Sequence, residues 1–64
     1  MVKINGSLQD AAGMTVSEYL KSADYDIRRI VVERNQVIIP KAEYDQTVFQ
    51  EDDIVEIISF VGGG

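Results

Sequence analysis

At 64 residues the chain allows a single domain, and its apolar residues are nearly all needed for one small core, leaving little to wall a substrate pocket. The absence of cysteine and histidine excludes disulfides, Cys/His zinc sites and catalysis by a thiol or an imidazole, and it favours a reducing, cytoplasmic setting. Six basic residues against eleven acidic ones give a net charge of −5, which argues against nucleic-acid binding by phosphate neutralisation and is compatible with a partner carrying a basic surface.

The chain opens with alternating Val2-Lys3-Ile4 rather than an apolar leader, and no run approaches the ~18 apolar residues of a membrane span. Asn5-Gly6 predicts a two-residue type I′ turn, because both central residues of that turn need positive φ, and Ser7 to Asp10 then return as a second short strand. Ala11-Ala12-Gly13 is a connector. Thr15 and Glu18 stand at the spacing of a capping box, with Met14 and Tyr19 at the two positions of a hydrophobic staple. A helix of about two turns follows, burying Val16, Tyr19, Leu20 and Ala23, and fading near Ala23 where Asp24 and Asp26 oppose its dipole. Tyr19 is read as a structural residue because of its place in the staple.

Arg28-Arg29 reads as a solvated entrance to a strand at 30–33 rather than as a ligand site. Arg34-Asn35-Gln36 is a turn, and Val37-Ile38-Ile39 is a strand that Pro40 ends by withholding a donor. The segment 41–46 suits a single 3₁₀ or α turn with Tyr44 folded onto the core. A brief strand is expected at 47–49. The acids Glu51, Asp52 and Asp53 lack the alternation and the mid-loop glycine of a calcium loop and are read as a solvated turn, so no metal site is expected.

The last strand begins at Ile54. Ile54, Ile58 and Phe60 fall on one parity, Val55, Ile57 and Val61 on the other, the pattern of an interior strand apolar on both faces. One helix covers only one face of such a sheet, so the expected architecture is a two-layer α+β domain. This is the β-grasp (ubiquitin-like) arrangement: a four- to five-stranded mixed sheet, one main helix on one face, the first and last strands parallel and adjacent in the middle. The domain is placed at residues 1–61 and a flexible glycine tail at 62–64. Glu56 marks its parity as the wetter one, and Ile58 and Phe60 beside it are the candidate docking patch on the uncovered face. Gly62-Gly63-Gly64 can be read as an ordinary frayed terminus. Without Cβ atoms it can equally lie as a thread in a narrow channel of another protein, presenting a carboxylate.

These residues resemble the ThiS family, the sulfur carrier proteins of thiamin biosynthesis. The resemblance runs through Ala11-Ala12-Gly13-Met14-Thr15-Val16, Val32-Glu33-Arg34-Asn35, Ile38-Ile39-Pro40-Lys41, Asp53-Ile54-Val55-Glu56-Ile57 and the ending Phe60-Val61-Gly62-Gly63-Gly64. Where the family often has Asp-Gly-Asp in the last turn, this chain has Glu51-Asp52-Asp53, and aspartate tolerates the left-handed conformation less well than glycine. The resemblance implies that a ThiF-like adenylating enzyme uses ATP to activate the Gly64 carboxylate. A persulfide sulfur donor protein then supplies sulfur, and a ThiG-like thiazole synthase consumes the resulting thiocarboxylate. On that reading Gly62 and Gly63 form the thread, Ile58 and Phe60 the dock, and the carrier itself binds no cofactor and has no catalytic residue. A carrier for molybdopterin or another thiocarboxylate pathway shares the ending, and a non-carrier ubiquitin-like binding module shares the fold. An enzyme is the weakest reading, since the acids fall on turns and strand edges with no suggested convergence.

Overall fold

In the computed structural model, residues 1–60 are described below. The elements in chain order are β1 (Val2–Ile4), β2 (Ser7–Gln9), α1 (Val16–Ser22), β3 (Ile30–Arg34), β4 (Val37–Ile38) and β5 (Ile54–Ser59), with 3₁₀ turns at Ile27–Arg29 and Lys41–Glu43. The five strands form one mixed sheet in the order β2-β1-β5-β3-β4. β5 is its central strand, parallel to β1 and antiparallel to β3.

Local chemistry accounts for most of these boundaries. Asn5 and Gly6 take φ of 50° and 83°, the positive pair that turns β1 into β2. Asn35 and Gln36 make a second such turn at φ 50° and 70°, so Arg34 ends β3 rather than entering the turn. At the start of α1 the Thr15 hydroxyl accepts from the Glu18 N–H at 3.1 Å and the Glu18 carboxylate accepts from the Thr15 N–H at 2.8 Å. The helix ends in a Schellman motif: Tyr25 N–H donates to the Leu20 carbonyl, Asp24 N–H donates to that of Lys21, and Asp24 is left-handed at φ 60°. Ala23 is therefore the exposed C-cap and not part of the buried face. Ahead of β3, Asp26 caps the turn Ile27–Arg29 and pairs with both Arg28 and Arg29, which stay exposed as expected of a solvated strand entrance.

The core lies between α1 and one face of the sheet. Val2 and Ile4 of β1, Val55 and Ile57 of β5, and Ile30 and Val32 of β3 point into it, under Val16 and Leu20 of the helix. Tyr44 folds onto this core as expected, and so does Ile39, which leaves β4 but still donates to the Val32 carbonyl. The strand expected at 47–49 is reduced to one bridge, Thr15 to Val48, because its neighbour at that point is the cap of the helix and not another strand.

β5 is the interior strand that its two apolar parities predict, and the face without a helix is exposed, as expected. Val55 and Ile57 are buried, while Ile54, Ile58 and Phe60 are exposed. A short helix covers one face, and the apolar residues of the other parity face outward. In the turn before β5, Asp52 is left-handed at φ 70°, the conformation that favours glycine. Asp52→Gly is expected to raise stability by about 0.5 kcal/mol, strain relief being partly offset by a freer unfolded chain, with urea unfolding as the measurement.

Candidate functional site

The uncovered sheet face is set by register. Across β3 and β5, Val31 faces Ile58 and Glu33 faces Glu56, while Phe60 continues the ladder by donating its N–H to the Arg29 carbonyl at 2.7 Å. Across β1, Lys3 lies between Leu8 of β2 and Ile54 of β5. The face thus carries two apolar islands beside β5, Ile58 and Phe60 with half-buried Val31, and Ile54 with Leu8 across Lys3, and exposed Ile38 of β4 lies further out opposite Glu33. Ile58 is 49% exposed and Phe60 55%. The candidate docking residues Ile58 and Phe60 are therefore brought to one surface. Leu8 and Val31 belong to it too, and only pairing register shows that, since neither is near β5 in sequence.

Two side-chain brackets fix β5. At its middle, the Asn5 amide makes both bonds a neighbouring strand would make: its oxygen accepts from Ile57 N–H at 2.8 Å and its nitrogen donates to the Ile57 carbonyl at 3.2 Å. At its start, Asp53 is turned inward and buried, correcting the reading of the acidic run as a wholly solvated turn. Its carboxylate accepts from Arg34 Nε at 2.7 Å, Asn35 Nδ2 at 3.0 Å and the Gln50 N–H at 2.8 Å. Burial alone would raise the Asp53 carboxyl, but the Gln50, Asn35 and Arg34 hydrogen bonds and the Arg34 charge outweigh it and hold the group below the ordinary aspartate range.

Asp53→Ala is accordingly expected to destabilise the fold by about 2–3 kcal/mol, tempered because Arg34 keeps contact with water. A lowered folded-state value means that this contribution is present above the unfolded value and lost as the pH falls through the folded one. The stability gap between the native chain and Asp53→Asn, measured by urea unfolding, is expected to shrink below about pH 4.

Among the described residues no His, Cys, Asp and Glu group is arranged to hold a metal, and no helix is long and apolar enough to cross a membrane. Gly62, Gly63 and Gly64, the expected thread and sulfur-bearing terminus, lie outside the described residues, as does Val61.

Comparison with known proteins places this geometry. A sequence model of the ThiS family matches residues 2–64. The chain is 38% identical over 50 residues to the sulfur carrier protein ThiS of Bacillus subtilis, covering 78% of this chain and 76% of that one. It is 42% identical over 62 residues to a thiazole synthase of Paramagnetospirillum magneticum, covering 95% of this chain and 19% of the relative, so the chain spans about a fifth of that protein. The crystal structure of the thiamine biosynthesis protein ThiS from Geobacter metallireducens has a similar fold, with a TM-score of 0.77 at 27% identity, covering 98% of this chain and 97% of that one. With a family match that runs almost end to end and a five-stranded, one-helix fold shared with a solved member, the chain belongs to the ThiS family, the sulfur carriers of thiamin biosynthesis.

Proposed function

We propose that the chain carries sulfur as a thiocarboxylate on Gly64 and acts as a protein co-substrate, not as a catalyst. The family match that extends through Gly62-Gly63-Gly64 carries this reading. In the scheme, a carboxylate oxygen of Gly64 attacks the α-phosphorus of ATP on an adenylating partner and releases pyrophosphate. The acyl-adenylate so formed has AMP as a good leaving group. A persulfide sulfur displaces AMP, and cleavage of the resulting S–S bond by a second thiol leaves the thiocarboxylate. Beyond the Gly64 carboxylate that is itself activated, the carrier supplies no base, nucleophile or metal to these steps, only a surface. Glycines suit the terminus, because a partner's active site can close around a backbone without Cβ atoms. Thiazole synthase is the proposed acceptor of the sulfur, a reading supported by the similarity of this chain to part of a thiazole synthase.

The test is the intact mass of the protein after incubation with a ThiF-type adenylating enzyme, ATP and a persulfide donor. The expected result is a gain equal to replacement of one oxygen by sulfur, absent when ATP is withheld. No gain with an enzyme that loads its own carrier would overturn the proposal and leave a ubiquitin-like binding module. Docking is proposed to use Ile58 and Phe60. Phe60→Asp is expected to slow loading about tenfold or more, as loss of an apolar anchor does, while the thermal midpoint stays within a few degrees because the ring is exposed.

A further inference from the structure

The exposed sheet face contains an arrangement that the stability of the free chain does not favour. Glu33 of β3 and Glu56 of β5 stand directly opposite each other with side chains on the same face. They form a hydrogen-bonded antiparallel pair, since the rungs on either side, Asn35 N–H to the Ile54 carbonyl and, further along, Phe60 N–H to the Arg29 carbonyl, fix the alternation. Like charges in that position repel. Neither carboxylate has an ion-pair partner among the described residues, where Arg28 and Arg29 are engaged by Asp26 and Arg34 by Asp53. Lys3 shares the face but sits opposite Ile54, one diagonal step from Glu56.

The surroundings of the pair are apolar. Ile54 and Ile58 flank Glu56 along β5, and Ile38 faces Glu33 from β4. Ile54 is 58% exposed and Ile38 63%. The two carboxylates also share a shallow concavity with Asn35, Gln36 and Ile54. Any partner that covers the apolar islands must therefore also cover two adjacent negative charges. Burying them unpaired is strongly unfavourable.

We infer that Glu33 and Glu56 together receive one arginine side chain from the adenylating partner, seated between them while apolar side chains of that partner cover Ile54, Ile58 and Phe60. This rests on the proposed docking of the carrier through this face. A guanidinium is planar, has five donors and loses less hydration than an ammonium, so it can donate to both carboxylates at once where a lysine offers a single charge. A divalent cation fits less well, because it needs six or more oxygen ligands and the frame here is isoleucine. The pair then serves selection: an apolar surface without the arginine is rejected, and the cognate one relieves a repulsion that the free carrier bears.

The experiment measures binding of the carrier to a ThiF-type adenylating enzyme at several salt concentrations, for the native chain, Glu33→Gln/Glu56→Gln and Phe60→Asp. The glutamine double variant is expected to bind about 10–100-fold more weakly, to lose much of the salt dependence, and to have a thermal midpoint at or above that of the native chain. A merely structural pair would not move the salt dependence. If the double variant binds as tightly as the native chain and Phe60→Asp binds weakly, the docking face stands and the arginine site is overturned. If neither variant weakens binding, the docking face itself is overturned. A calcium- or magnesium-induced rise in thermal midpoint that disappears in the glutamine variant would assign the pair to a metal and also overturn the inference.

Discussion

Phe49→Ala is expected to destabilise the protein by about 3–5 kcal/mol, the usual result of emptying a buried aromatic site. Phe49 is 1% exposed and meets Tyr19 edge to face, with ring centroids 6.1 Å apart. Its backbone donates to the Met14 carbonyl and accepts from Gly13 N–H, both at 2.9 Å, so the residue fastens the start of α1 to the chain that leads into β5. A chain of 64 residues has a total stability of about 3–10 kcal/mol. The variant is thus expected to lie near or beyond the edge of folding, with a thermal midpoint at least ~15 °C lower by circular dichroism. Phe49→Leu, which refills most of the site, is expected to remain folded. A midpoint for Phe49→Ala within a few degrees of the native one would show that the loop closes over the gap.

Removing Gly64 is expected to reduce ATP-dependent sulfur loading by at least ~10²-fold. The shortened chain still ends in a glycine carboxylate, so its intrinsic chemistry is unchanged. What changes is reach: one extended residue spans about 3.3–3.6 Å, and a misplacement of even ~1 Å at a reacting atom can reduce a rate by about 10²-fold. The thermal midpoint should not move, because no described core residue is touched. Single-turnover loading, followed by intact mass, separates this from a binding defect: affinity for the adenylating partner is expected to stay close to native. Loading at the native rate would mean that the tail slides freely in its channel and that length is not read.

The features legible in the sequence are those made by contiguous residues. Asn5-Gly6, the Thr15/Glu18 box and Tyr44 after Pro40 each specify their own geometry within a few positions, and each occurs in the structure. Asp53 was less visible because its side-chain partners, Arg34 and Asn35, lie 19 and 18 residues away. One signal did exist: Asp53 shares the parity of Val55 and Ile57, the face that points into the core. The two-sided apolar pattern of β5 gave its central place, and the single helix gave the exposed face. Composition records that both faces are apolar but not what covers the second. Glu33 and Glu56 became neighbours only once antiparallel register was known. The glycines bearing the proposed chemistry remain a matter of sequence and family, lying outside the described residues.

The central place of β5 has a mechanical side. A strand at the edge of a sheet can be unzipped, its bonds breaking one after another under a small pull. β5 is gripped along both edges, by five register positions with β3 on one side and by β1 and the Asn5 amide on the other. Its bonds to antiparallel β3 lie roughly across the strand axis, and those to parallel β1 are slanted to it. Tension applied along the axis beyond Ser59 therefore loads many of them together in shear. A globule anchored this way can be tugged by its C-terminal end without being peeled open.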